Sequence, residues 1–248
     1  VSTELTDRVA LVTGACGDIG RSVALALARR GARVYAADIR PVDPADGLVP
    51  LLLDVRDSGA VAVAFAAIAE ESGPVRLLVN AAGGPGSVRT PIDEVSDEAW
   101  HAVVSLNLDG TFHCCREAVR WMKSAGTTGS IVNVSSGAGR TYSRTGVQAY
   151  AAAKAGVIGF TRQLAREAGP AGIRVNCVAP GLIAVDALQQ EIAALGPDGL
   201  AAHLGGVALG RLGRADDLVE PVLFFLGDGA GFVTGQTISV DGGSVMLG

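Results

Sequence analysis

Tyr150 and Lys154 lie four residues apart in the stretch AYAAAKAG, just over one helical turn, which puts a phenol and an ammonium on one helix face. Lysine is scarce in this chain. Of its 20 basic residues only Lys123 and Lys154 are lysines. A phenol ordinarily keeps its proton up to a pH of about 10. An ammonium roughly 4–5 Å away, at an effective dielectric of about 20, favours the phenolate by about 3–4 kcal/mol. That is roughly 2–3 pH units, enough to make the pair a general acid/base near neutrality. Arginine could supply the charge, but its bulkier fork does not give up its proton. A surface pair on an amphipathic helix would show the same spacing, so the rest of the chain decides.

A second group of residues has the chemistry to hold a phosphate. The stretch TGACGDIG (13–20) joins the apolar run RVALVT to a helical one. Gly14 and Gly20 let backbone come close to an anion, and the helix opening at Asp18 and Ile19 offers unpaired N–H groups. Asp38 ends the next apolar run, 18 residues after Gly20, where a carboxylate can accept hydrogen bonds from an adenosine ribose. Asp54 and Val55 follow the third run, beside the place of an adenine. Asn80, Ala82 and Gly83, in NAAG, follow the fourth as a small turn that a planar ligand can approach.

These positions are strand ends. β-Branched runs at 8–13, 33–38, 48–54, 76–80, 130–136, 173–180 and 236–241 alternate with runs of helical period. The helices are expected at 18–30 (stopped by Gly31), 58–71, 97 to about 123 with an interruption near Gly110, 148–168, 184–204 and 215–226, with Asp97 as the cap of the third. Alternating strands and helices with continuously apolar strands predict a parallel sheet covered on both faces. In such a sheet ligands bind beyond the carboxyl ends of the strands, where the strand order reverses. No repeat or low-complexity linker divides the 248 residues, so one domain, 1–248, is expected.

Composition narrows the function. Hydrophobic residues make up 49% and charged residues 18%, with a net charge of −5, which argues against nucleic acid or an anionic membrane as partner. No apolar run approaches 18 residues and the first residues lack a signal-peptide core, so a cytoplasmic location is expected. Cys16, Cys114, Cys115 and Cys177 have neither CxxC spacing nor a disulfide framework and read as reduced, small hydrophobes. His101, His113 and His203 have no ligand spacing, so no metal is expected.

Taken together, the TG-rich turn, NAAG, SLN at Asn107, VNVSS, YAAAK, PG at 180–181 and the closing GQTISVDGG resemble the short-chain dehydrogenase/reductase family, in its single-domain branch. The resemblance covers essentially the whole chain and implies a Rossmann-like, doubly wound α/β fold. It implies a nicotinamide dinucleotide as cofactor, NAD being the form that Asp38 favours, and a catalytic set of Asn107, Ser136, Tyr150 and Lys154. Tyr150 would be the acid/base and Ser136 would position the substrate oxygen. Lys154 would lower the tyrosine pKa and bind the nicotinamide ribose, and Asn107 would hold a water linking Lys154 to solvent. Pro180, Gly181 and Ile183 would border the nicotinamide. The hydride chemistry belongs to the cofactor.

Three departures stand out. Position 18, glycine in the branch's TGxxxGxG turn, is Asp18, a residue that tolerates a left-handed backbone. The same residues also fit TGxxGxxG, the turn of a longer branch whose extra domain 248 residues leave little room for. The loop 137–149 is one residue longer than usual, which leaves both Ser135 and Ser136 as candidates, alignment of SSGAG choosing Ser136. Val185 replaces a threonine that holds the carboxamide in many relatives.

The expected activity is interconversion of a secondary alcohol and a ketone with NAD(H), since Asp38 would oppose the 2′-phosphate of NADP. The second reading is an NADPH-dependent 3-oxoacyl-carrier-protein reductase. A nucleotide-sensing protein without catalysis is a third, opposed by the intact catalytic set. The partners expected are a small ketone or alcohol under an apolar lid at 183–210 and, from the resemblance, three further copies in a homotetramer, with Ala152, Ala155, Gly156 and Gly159 letting a neighbouring helix come close.

Overall fold

The computed structural model describes residues 5–86, 88–143, 146–186, 192 and 195–246. Seven strands form one sheet: β1 (Val9–Thr13), β2 (Arg33–Asp38), β3 (Leu48–Leu52), β4 (Leu77–Asn80), β5 (Gly129–Val134), β6 (Ile173–Pro180) and β7 (Thr237–Val240). Every pairing is parallel and the order is β3-β2-β1-β4-β5-β6-β7. The chain winds outward from β1 to β3, then returns to lay β4 on the other side of β1. That reversal opens a crevice between the carboxyl ends of β1 and β4.

The helices are α1 (Asp18–Arg29), α2 (Ser58–Ser72), α3 (Asp97–Val104), α4 (Gly110–Ser124), α5 (Gly137–Arg140), α6 (Gln148–Ala168), α7 (Gly196–Gly205) and α8 (Val219–Leu226). Alternate residues of β1 supply both cores, as a strand buried on two faces must. Ala10 and Val12 join α1 and α8 through Val23, Leu27, Val222 and Phe225, whereas Val9 and Leu11 join α2, α4 and α6 through Phe65, Ile68, Met122 and Leu164.

Local chemistry sets the helix boundaries. Gly31, at φ +87°, ends α1 with its N–H on the Ala28 carbonyl. The cap of α3 is Ser96, whose hydroxyl accepts from Ala99 N at 3.2 Å, rather than Asp97, which is the first helical residue. The interruption expected near Gly110 is a π-helical turn, Ser105–Asp109, between α3 and α4. Gly110 then begins α4 because a Cβ there would come within 2.6 Å of Val55 Cγ2.

The helix expected over 184–204 does not begin there. Ile183 pairs with Gly213 as an isolated parallel bridge and Ala184 donates to the Gly213 carbonyl, so this chain is held extended. Within the expected lid, 187–191, 193 and 194 lie outside the described residues. No described helix is long and apolar enough to cross a membrane.

Candidate active site

The turn after β1 and the turn after β4 are built on each other. Thr13 is buried at the end of β1, and its hydroxyl accepts hydrogen bonds from Ala81 N at 3.2 Å and Ala82 N at 3.1 Å. Gly14 has φ +70°, and a Cβ on it would lie 2.8 Å from Ala82 N. A Cβ at Gly20 would lie 2.2 Å from the Gly14 carbonyl oxygen, so only glycine lets α1 pack this close to the turn. The result is a shallow cradle of backbone facing the first turn of α1. Asp18 belongs to that first helical turn, and only Asp7 and Arg89 among the described non-glycine residues have positive φ. The left-handed conformation expected at Asp18 is therefore not used.

Asp38 stands over this cradle, buried and fixed by three donors: Cys16 N on Oδ2 at 3.0 Å, and Arg40 N and Nε on Oδ1 at 3.0 and 3.4 Å. Arg40 thus pairs with Asp38. Asp43 receives Arg21 on its backbone carbonyl. Asp54 is engaged by Arg56, which grips both carboxylate oxygens and holds the group below the usual carboxylate range. Val55 is buried against α4, its carbonyl facing His113 Nδ1 at 3.0 Å. Asn80 points away from the crevice. Its Nδ2 donates to Asn133 Oδ1 at 2.9 Å, and Asn133 in turn donates to Thr161 Oγ1 at 2.9 Å. The sequence reading missed this interior network, in which asparagine facing asparagine on neighbouring strands was the available signal.

On the other side of the crevice, α6 delivers the phenol and the ammonium. Lys154 is buried and its Nζ donates to the Val134 carbonyl at 2.8 Å. Nζ lies 5.6 Å from the centroid of the Tyr150 ring. A Cβ at Gly83 would come within 2.6 Å of Asn107 Oδ1 and 3.1 Å of Lys154 Nζ, so the NAAG turn, Asn107 and Lys154 meet at one point. Asn107 is placed there by the π-helical turn. Its Nδ2 donates to Gly84 O and Val103 O, each at 2.9 Å, and its Oδ1 accepts from Gly84 N at 3.2 Å.

The two serines separate cleanly. Ser135 is buried with its hydroxyl on the Lys154 backbone carbonyl at 2.8 Å. Ser136 caps α5, a helix the sequence reading did not contain, its hydroxyl accepting from Ala138 N at 3.2 Å. Ser136, and not Ser135, is the serine that acts to lower the Tyr150 phenol.

The expected electrostatics is corrected. Burial pushes the Tyr150 phenol above its ordinary value, and the Ser136 hydrogen bond only partly offsets this. Burial also draws Lys154 down to about 8. Lys154 is still mainly an ammonium at pH 7, but it is turned to the Val134 carbonyl, and burial is the stronger influence on the phenol.

Pro180 ends β6 beside Val240, and Gly181 follows, where a Cβ would lie 2.7 Å from Asp241 Cβ. Ile183 is buried, its carbonyl already accepting from Val185 N at 2.9 Å. Val185 packs on the cluster that also includes Ile19. All four cysteines are free, three of them buried, and the described residues contain no group of metal-binding side chains.

A family model described as enoyl-(acyl carrier protein) reductase matches residues 14–245. The chain belongs to the short-chain dehydrogenase/reductase family. It is 38% identical over 252 residues to a 3-oxoacyl-(acyl-carrier-protein) reductase of Pseudomonas aeruginosa, covering 98% of this chain and 99% of that protein. It is 37% identical over 248 residues to a cis-4-hydroxycyclohexanecarboxylate dehydrogenase of Sinomonas cyclohexanicum, covering 96% of each. A solved short-chain dehydrogenase/reductase of Mycobacterium ulcerans superposes with a TM-score of 0.87 at 33% identity, covering 96% of this chain and 90% of that one. As a member of this family the chain is an oxidoreductase acting on a CH–OH/ketone pair with a nicotinamide cofactor.

Proposed function

We propose that this short-chain dehydrogenase/reductase reduces the ketone of a 3-oxoacyl group held on a carrier. The observation that carries the chemistry is the convergence of Ser136, Tyr150 and Lys154 beside the NAAG turn. The substrate class rests on the relatives' names, and those favour the second of the sequence readings.

The glycine cradle fits a pyrophosphate, and Asp38 is in place for a ribose. The dinucleotide would lie with its phosphates on the first turn of α1 and its nicotinamide toward Pro180 and Gly181. When bound it supplies the hydride. Tyr150, kept protonated by burial, acts as the acid that protonates the forming alkoxide. Ser136 holds the same oxygen. Lys154 orients the nicotinamide ribose and, drawn down to about 8, can pass a proton near neutrality. Asn107 fixes the NAAG turn from beneath.

Asp38 favours NAD(H), because its carboxylate is locked toward the ribose end of the cradle by Cys16 N and Arg40 N. A second substrate reading, a free secondary alcohol oxidised with NAD+, is favoured by the likeness to the cyclohexane-ring dehydrogenase. A single panel separates the two. A 3-oxoacyl thioester and 4-hydroxycyclohexanecarboxylate are each assayed with NAD(H) and NADP(H) at the nicotinamide absorbance. The carrier reading requires the thioester to have the higher kcat/KM.

The free thiols suit the reducing cytoplasm. For a homotetramer, α6 offers a strip of exposed small residues at Ala152, Ala155 and Gly159. Gly156 packs instead against Leu108 of its own chain. Light scattering at micromolar concentration tests the assembly, and a monomer would reject it.

A further inference from the structure

Asp18 occupies a position that is glycine in the family's turn, and its carboxylate has a distant partner. Oδ2 accepts a hydrogen bond from Asp186 N at 2.9 Å. Asp18 lies just beyond the carboxyl end of β1 and Asp186 just beyond that of β6, with β4 and β5 between them in the sheet. Three strand spacings separate β1 from β6, roughly 14 Å. The chain from Gly181 to Asp186 therefore runs from the end of β6 to the first turn of α1, past the positions of β5 and β4 in the sheet.

Both ends of this bridge are anchored. Asp18 is fixed by α1, which Gly20 seats directly on the turn. The other end is tied to the body by the Ile183–Gly213 bridge and by Ala184 N on Gly213 O at 2.8 Å. Ile19 and Val185, each next to one of the two bonded residues, pack on the same apolar cluster.

We propose that Asp18 is a positioning residue that straps residues 183–186 beside the dinucleotide cleft, so that bound cofactor leaves only after the Asp18–Asp186 bond opens. This rests on the dinucleotide reading of the cradle. The charge and the hydrogen bond of Asp18 act in opposite directions. A carboxylate near a pyrophosphate speeds its departure, whereas the strap slows it. Replacing the group in two ways separates the two effects.

The experiment is stopped-flow release of NADH from the full-length protein, followed by nicotinamide fluorescence after mixing with excess ADP-ribose. Asp18→Gly removes acceptor and charge, Asp18→Asn keeps an acceptor oxygen without the charge, and Asp186→Pro removes the donor N–H, with Asp186→Ala as the control for loss of its side chain. The strap predicts release about three- to tenfold faster in Asp18→Gly and in Asp186→Pro, the range one net hydrogen bond supplies. The double variant should be no faster than either single one, because both remove the same contact. Asp18→Asn should release at the wild-type rate or more slowly. An unchanged or slower rate in Asp18→Gly, or a rate in Asp18→Asn matching that of Asp18→Gly, overturns the strap while leaving the cradle intact. Failure of the unmodified protein to bind NADH or NADPH saturably would overturn the dinucleotide reading, and the strap with it.

Discussion

Lys154 donates from Nζ to the carbonyl oxygen of Val134 at 2.8 Å, while the ring centroid of Tyr150 lies 5.6 Å from the same nitrogen. The ammonium is thus fastened to the end of β5, one residue before the two serines. Its backbone carbonyl meanwhile accepts the Ser135 hydroxyl. Lys154 therefore ties α6 to the end of β5 and the residue after it, once through its ammonium and once through its backbone carbonyl. With the phenol raised by burial, Tyr150 stands protonated. That is the form from which a ketone reduction starts.

Tyr150→Phe removes the proton while keeping the ring against Lys154. Turnover on a good substrate should fall by about 10²- to 10⁴-fold, the usual contribution of a positioned acid. Binding of the reduced dinucleotide, titrated by fluorescence, should stay within about twofold. A variant that kept most of its turnover would remove Tyr150 from the chemistry.

Ser136→Ala and Ser135→Ala should fail in different ways. Ser136 acts to lower the phenol, so its loss should lower kcat with little change in melting temperature. Ser135 is buried with its hydroxyl on the Lys154 carbonyl, so its loss should cost about 1 kcal/mol of stability. If Ser135→Ala proved the catalytically silent but equally stable variant, the structural role assigned to it would be wrong. If it lost turnover while Ser136→Ala did not, the assignments would have to be exchanged.

The frame of this site was legible in the sequence because buried parallel strands leave strong apolar runs and their ends carry glycine and polar residues. β2, β6 and α6 fall where the runs predicted, at Arg33–Asp38, Ile173–Pro180 and Gln148–Ala168. What stayed hidden depends on side-chain direction. Asp38 and Asn80 each end a strand, yet one faces the crevice and the other the interior, because strand residues alternate between faces. The four-residue helix after Ser136 is too short for periodicity to show. The spacing of Tyr150 and Lys154 placed them on one face, but it could not say that a carbonyl of β5 would take the ammonium first.

Burial of Lys154 has a stability signature with a definite sign. Its pKa falls from 10.5 to about 8 on folding, so between those values the unfolded chain binds more protons. Stability should therefore rise with pH across that window, the penalty being fully present below pH 8. Lys154→Met removes the penalty, up to about 3 kcal/mol, and should melt several degrees higher than the parent near pH 7. The gap should narrow by pH 10, and turnover should drop at both values. Equal melting temperatures at pH 7 would mean the lysine is not held as a desolvated cation.

Discrimination between NAD(H) and NADP(H) turns on Asp38, Ile39 and Arg40. The Asp38 carboxylate is locked in place and would meet a 2′-phosphate at a few ångströms, a repulsion worth on the order of kcal/mol even where water enters. Uncompensated, about 2–3 kcal/mol corresponds to roughly 30- to 150-fold in specificity constant. Arg40 reduces that figure, because its Nε already sits 3.4 Å from Asp38 Oδ1 and carries the opposite charge. Two-thirds of the Arg40 side chain is exposed, however, so water screens most of its effect. A preference for NAD(H) of about tenfold or more is expected. Ile39, exposed at the same corner, offers nothing to a phosphate. Asp38→Ser with Ile39→Arg should shrink or reverse the ratio, and Arg40→Ala alone should widen it. Steady-state kinetics with both cofactors on one ketone decides the matter. Equal or better specificity constants with NADP(H) in the unmodified protein would mean that Arg40 swings to the phosphate, and that Asp38 does not set the choice.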